Sequence, residues 1–127
     1  MLDKILIVDD DDLVLACCER LLVRQFNVET AIGPLEALEA IAVRGPYAVI
    51  LSDLRMPGMN GVQFLEKART LSPNTVGVVL SGNIQQSDLD ACAGAVFRVL
   101  DKPCPTALLA GTLKDAIAHH HKLCSAN

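Results

Sequence analysis

The chain has 127 residues, 15 acidic against 11 basic side chains for a net charge of −4, and is 51% hydrophobic with only 3% aromatic residues. That length predicts one domain with a sizeable core, and the composition excludes a disordered tail, a collagen and a disulfide-rich miniprotein. No apolar run reaches the roughly 18 residues that cross a bilayer, no secretory leader pattern opens the sequence, and the acidic balance offers no electrostatic grip on nucleic acid. A cytoplasmic protein that contacts neither membrane nor nucleic acid directly is expected.

Short apolar runs alternate with helical windows along the chain. Ile5 to Val8 reads as a first strand, followed by a helix whose stripe is Val14, Cys17, Cys18, Leu21 and Leu22. Val28 to Ala31 is a second strand. Its helix opens at Pro34 after Gly33, lines one face with Leu38, Ile41 and Ala42, and stops at Gly45-Pro46. Ala48 to Leu51 is the third strand, and Asn60 caps a third helix that buries Phe64, Leu65 and Ala68 before Ser72-Pro73. Val76 to Leu80 precedes a fourth helix around Ile84 to Ala93 with the stripe Leu89, Cys92 and Ala93. Val96 to Leu100 leads into a last helix from Pro105 that carries Leu109, Leu113, Ala116 and Ile117.

Five strand-helix units predict an α/β fold, a doubly wound parallel sheet with helices on both faces. Strands one, three and four are nearly all apolar, whereas Asn27, Glu29, Thr30 and Arg98 mark strands two and five as edges. The flavodoxin-like order 2-1-3-4-5 satisfies this with right-handed crossovers and puts a ligand crevice at the carboxyl ends of strands one and three.

Chemistry-bearing residues collect at that edge. Strand one ends in Asp9-Asp10, followed by Asp11-Asp12 as helix-start acids, and strand three ends in Ser52-Asp53. Clustered carboxylates repel unless a proton or cation intervenes, and a small set of hard oxygen ligands favours Mg²⁺. Ser81 ends strand four, and Lys102 arrives from strand five in Leu100-Asp101-Lys102-Pro103. A divalent cation, an ammonium and a hydroxyl match the charge of a transferring phosphoryl group, and an Asp carboxylate can itself be the nucleophile.

The motifs KILIVDD at 4–10, VILSDLRMPGMNG at 49–61, VVLSGN at 78–83 and LDKP at 100–103 resemble those of response regulator receiver domains of two-component signalling, over essentially the whole length. The resemblance implies that Asp53 is the phosphoacceptor. It implies that Asp10 binds Mg²⁺ (or Mn²⁺ as a substitute) directly, Asp9 mainly through water, and the Arg55 backbone carbonyl as a further ligand. Ser81 and Lys102 would each hold a phosphoryl oxygen, Gly82 would leave room for the group, and Lys102-Pro103 would be a cis peptide that aims the lysine inward. The implied function is a conformational switch that takes a phosphoryl group from a histidine kinase or phosphotransfer protein and signals to an output domain or protein through an α4-β5-α5 face. Such a domain promotes its own phosphorylation and dephosphorylation and is not an enzyme toward a separate substrate. The receiver would span residues 1–122, with 123–127 a tail or the start of a linker.

One position departs from the family. Receivers usually carry Phe or Tyr three residues before the lysine, where this chain has Val99; Phe97 is expected on the same strand face. The departure keeps a second reading in play, a degenerate receiver acting as a constitutive interaction module. A flavodoxin-like FMN carrier is disfavoured because Asp9 to Asp12 would repel phosphate, and Asp53-Leu54-Arg55 lacks the second acid of a haloacid-dehalogenase motif. His119, His120 and His121, pointing around a helix, read with Cys124 as a solvated helix end. The five cysteines, odd in number and without a CxxC pair, read as small hydrophobes, with Cys104 near the active edge.

Overall fold

The computed structural model describes residues 3–126. Its elements run β1 (Lys4–Asp9), α1 (Asp12–Leu22), β2 (Asn27–Ile32), α2 (Gly33–Arg44), β3 (Val49–Ser52), α3 (Gly61–Leu71), β4 (Val76–Ser81), α4 (Gln86–Cys92), β5 (Arg98–Asp101) and α5 (Thr106–Ser125). The five strands form one sheet of order β2-β1-β3-β4-β5, as the polarity of the edge strands predicts. Every pairing is parallel, with Val8 opposite Ser52, Ser52 opposite Val79, and Ser81 opposite Asp101. The register aligns the carboxyl ends of β1, β3, β4 and β5 along one edge.

Alternation along the strands divides the core into two layers. Leu6, Val8, Ile50 and Val79 pack against Ala37, Ala40 and Ile41 of α2, Phe64, Leu65 and Ala68 of α3, and Cys92 of α4. Ile5, Ile7, Leu51, Val78 and Leu80 face Leu15 and Leu22 of α1 and Leu109, Leu113 and Ala116 of α5. Each fully buried aliphatic side chain contributes about 1.5–3 kcal/mol, so the central strands are the rigid base under the edge.

The helix windows are recovered, but several stripes rotate. In α1 the buried residues are Leu15 and Leu22, while Cys17 and Leu21 are exposed. Two stripes with the same 3.6-residue period overlap at Cys18 and Leu22, and packing selects the one through Leu15. In α2, Ala37, Ala40 and Ile41 are buried and Ala42 is exposed, because the buried face follows the i, i+3, i+4 spacing from Ala37 and leaves position 42 off it. In α4 only Cys92 of the expected stripe is buried; Ile84 precedes the helix, Leu89 is 43% exposed, and Ala93 is exposed. β5 begins at Arg98, two residues later than the sequence pattern places it. Phe97 therefore lies outside the strand alternation and packs in the α1/α5 layer, stacked on His119 at 5.0 Å, whereas Val99 packs in the opposite layer. The expectation that the two share a face is thereby corrected. α5 continues without a break to Ser125, past residue 122.

Candidate functional site

β1 delivers Asp9 to the edge as its last residue, and the next residue, Asp10, is exposed. The chain then turns into α1. The Asp11 carboxylate caps this helix by accepting from Leu13 N, and Asp12 sits in its first turn, so these two acids serve the helix start. Asp9 is only 5% exposed, and its Oδ1 accepts from Asp11 N at 3.0 Å.

Asp53 follows β3. Its backbone N–H donates to Val8 O at 3.2 Å, extending the ladder one residue beyond the strand. Its Oδ1 accepts from Leu54 N at 2.6 Å and from Ser81 Oγ at 2.6 Å, with Arg55 N at 3.4 Å. Asp53 Oδ2 faces Lys102 Nζ at 3.7 Å, and the same ammonium lies 3.5 Å from Asp9 Oδ2. Lys102 thus bridges the carboxylates of two neighbouring strands, and the Lys102-Pro103 peptide is cis, as the resemblance implies.

Gly61 holds this loop close in a way the motif alone does not disclose. Its N–H donates to Leu54 O at 2.7 Å, and a Cβ at this position would fall 2.2 Å from Asp53 O and 3.0 Å from Leu54 Cα. Only glycine lets the first turn of α3 sit against the backbone that carries Asp53. Asn60 fixes the same helix start through a reciprocal capping box with Gln63. By contrast, a Cβ at Gly82 would meet only Lys102 Cβ, at 4.0 Å, so protein packing itself does not demand glycine there.

Carboxylate oxygens of Asp9, Asp10 and Asp53 all lie within 4.8 Å of one another, the only such compact metal-ligand set of three or more among the described residues. Burial pushes the Asp9 carboxyl above its ordinary range; the Asp11 amide and Lys102 oppose that shift, and the charge of Asp53 and a side-chain hydrogen bond with Asp10 reinforce it. An all-oxygen, net negative donor set suits a hard divalent cation such as Mg²⁺. The histidines take separate partners: His119 stacks on Phe97, His120 Nδ1 lies 2.6 Å from Asn74 O, and His121 Nε2 lies 2.9 Å from Asp3 Oδ2.

Arg55 has a role that sequence spacing does not reveal. Its Nη1 donates to Gly82 O at 3.1 Å, and its Nη2 donates to Asn83 O at 3.1 Å and to Asp88 Oδ2 at 2.8 Å. The side chain therefore spans from the loop after Asp53 to the loop after Ser81 and on to α4.

The sequence matches the response regulator receiver domain family over residues 5–114. It is 34% identical over 115 residues to the hydrogenase transcriptional regulatory protein HoxA of Cupriavidus necator, covering 89% of this chain and 24% of that protein. It is 32% identical over 121 residues to the DNA-binding transcriptional regulator NtrC of Escherichia coli K12, covering 91% of this chain and 25% of that one. The chain thus spans about a quarter of the length of these two relatives. Among solved structures, a protein from Rhodopirellula baltica described as an adenylate cyclase superimposes with a TM-score of 0.93 at 36% identity, covering 99% of this chain and 95% of that one. A CheY-like receiver domain from Methanospirillum hungatei gives 0.89 at 27% identity, covering 96% and 98%.

Proposed function

The chain belongs to the response regulator receiver domains of two-component systems, and from that premise we propose that it takes a phosphoryl group from a phosphohistidine onto Asp53 and works as a conformational signalling switch. The observation that carries this reading is the convergence of Ser81 Oγ, Lys102 Nζ and the acids Asp9 and Asp10 on the single carboxylate of Asp53.

Asp53 Oδ1 is held by the Leu54 amide and the Ser81 hydroxyl, which leaves Oδ2, on the Lys102 side, as the attacking oxygen. The new bond joins Oδ2 to phosphorus as the N–P bond of the donor breaks. The donor imidazole leaves with that electron pair and takes a proton from solvent. Lys102 balances the charge of one phosphoryl oxygen, and Ser81 donates to another. Asp9, Asp10, Asp53 and the Arg55 backbone carbonyl are the groups that would hold Mg²⁺, which supplies positive charge against the phosphoryl oxygens when bound. Hydrolysis reverses the state: water attacks phosphorus, the Oδ2–P bond breaks, and the carboxylate and inorganic phosphate are released.

The donor on this reading is a histidine kinase or histidine phosphotransfer protein. The output, an attached domain or a separate protein, reads the α4-β5-α5 face, and the setting is the cytoplasm. Among the described residues no helix is long and apolar enough to cross a membrane. Intact mass after incubation with Mg²⁺ and acetyl phosphate tests the reading: one added phosphoryl group on the wild type and none on Asp53→Asn are expected. An unchanged wild-type mass, or equal labelling of the variant, would leave the degenerate, constitutive module as the better description.

A further inference from the structure

Val99 removes the aromatic side chain that usually couples phosphorylation to the output face, and Phe97 lies in the wrong layer to replace it. Signal transmission then needs another connection between Asp53 and α4. We propose that Arg55 is that connection: its guanidinium, bound at once to the loop after Ser81 and to Asp88 of α4, transmits the phosphorylation state of Asp53 to the output face. The inference rests on the phosphoacceptor reading of Asp53.

α4 is poised to follow such a link. It has seven residues, far fewer than the roughly 12 to 15 at which an isolated helix becomes even marginally stable. Cys92 is its one buried side chain. Two arginines tie its ends to the rest of the domain, beside the flanking Ile84 and Val96 that pack on the core: Arg55 grips Asp88 in the first turn, and Arg69 of α3 donates to Gly94 O just past the last turn at 3.0 Å. Asp88 Oδ2 also accepts from Gln85 N at 2.8 Å, so the carboxylate gripped by Arg55 is the one that caps the helix. Moving Arg55 therefore acts on the start of α4 itself.

The input end is equally direct. Ser81 Oγ donates to Asp53 Oδ1, and the next two carbonyls, Gly82 O and Asn83 O, both accept from Arg55. Phosphorylation turns Oδ1 into an acyl carbonyl, a weaker acceptor, and supplies more strongly charged oxygens beyond it. Ser81 shifts toward those oxygens and carries residues 82 and 83 with it. The added negative charge also competes with Asp88 for the guanidinium. Asn83, at φ 52°, holds the chain entering α4 in the left-handed region, which is sparsely populated by residues other than glycine.

Amide chemical shifts of the full chain with Mg²⁺ and beryllofluoride, a phosphoryl mimic, test this. In the wild type, shifts should appear at Leu54 and Ser81 and spread through Gln86–Cys92. Asp88→Asn keeps an oxygen for the cap but removes the charge that Arg55 grips; its local shifts should persist while those in α4 lose most of their amplitude. Arg69→Gln loosens the far end of α4 without touching the link and should keep the full response. An undiminished α4 response in Asp88→Asn, or an equal loss in Arg69→Gln, would overturn the Arg55 connection alone. Absence of local shifts in the wild type would overturn the phosphoacceptor reading, and the connection with it.

Discussion

Replacing Asp9 by Asn should stabilise the metal-free protein while removing its response to Mg²⁺. In the folded state the Asp9 carboxylate is buried, and it shares a space under 4.8 Å across with the carboxylates of Asp53 and Asp10. At an effective dielectric of 20, unit charges at 4.8 Å repel by about 3.5 kcal/mol per pair. The single attraction to Lys102 at 3.5 Å is worth about 5 kcal/mol on the same scale, which leaves net repulsion before any cost of burial is counted. Solvent screens the exposed Asp10 and the partly exposed Lys102, so we discount the sum and expect the substitution to stabilise by about 1–2 kcal/mol. Asn retains an oxygen for the Asp11 amide. For a domain of this size each kcal/mol moves Tm by about 3–5 °C. Thermal unfolding of wild type and Asp9→Asn, with and without Mg²⁺ and at several pH values, is the assay. Because the folded-state carboxyl titrates above its ordinary value of 3.8, the metal-free advantage of the variant should shrink toward zero as pH falls below that value and grow as pH rises through the folded-state titration. Mg²⁺ should raise Tm of the wild type and leave the variant nearly unmoved. A variant less stable than the wild type without metal at neutral pH would refute the reasoning, since it would show that Lys102 and the Asp11 amide outweigh burial and repulsion.

Three further outcomes follow from the same geometry. Gly61→Ala should destabilise by about 1–3 kcal/mol and depress phosphorylation of Asp53, because the new methyl drives into the Asp53 carbonyl; denaturant unfolding together with labelling kinetics measures both. Tyr47 is the single tyrosine, it donates to Glu29 Oε1 at 2.6 Å, and burial first and then the Glu29 charge-assisted bond push its hydroxyl up to about 12. A tyrosinate absorbance titration should therefore show a late transition. The stability this group contributes should be intact below pH 10 and lost as pH rises through about 12; a transition at the ordinary value in folded protein would contradict the buried hydrogen bond. Ser81→Ala should still accept a phosphoryl group on Asp53 but more slowly, by up to the roughly 100- to 1,000-fold lost when one oxyanion donor is removed; an unchanged rate would take Ser81 out of the site.

The fold was readable because polarity distinguishes edge from centre: the mixed strands β2 and β5 fix the order, and the order brings Asp9, Asp53, Ser81 and Lys102 together. Helix faces were less readable where apolar residues are plentiful. In α1, Cys17 and Leu15 fit the period equally well, and only contact with β1 and α5 decides between them. Phe97 was misplaced because alternation holds only within a strand, and β5 starts one residue after it. Gly61 had a visible signal, the glycine that ends its motif, though not the reason, which is a backbone approach between loop and helix. The reach of Arg55 had no signal at all, since Gly82, Asn83 and Asp88 lie 27 to 33 residues away in sequence.

The most direct test of the central claim is reductive trapping. Borohydride converts an aspartyl phosphate to homoserine, so protein incubated with Mg²⁺ and acetyl phosphate, reduced and mapped by peptide mass spectrometry should carry homoserine at position 53 and aspartate at positions 9, 10 and 101. No homoserine, homoserine at another aspartate, or phosphate found only on His119, His120 or His121 would contradict it.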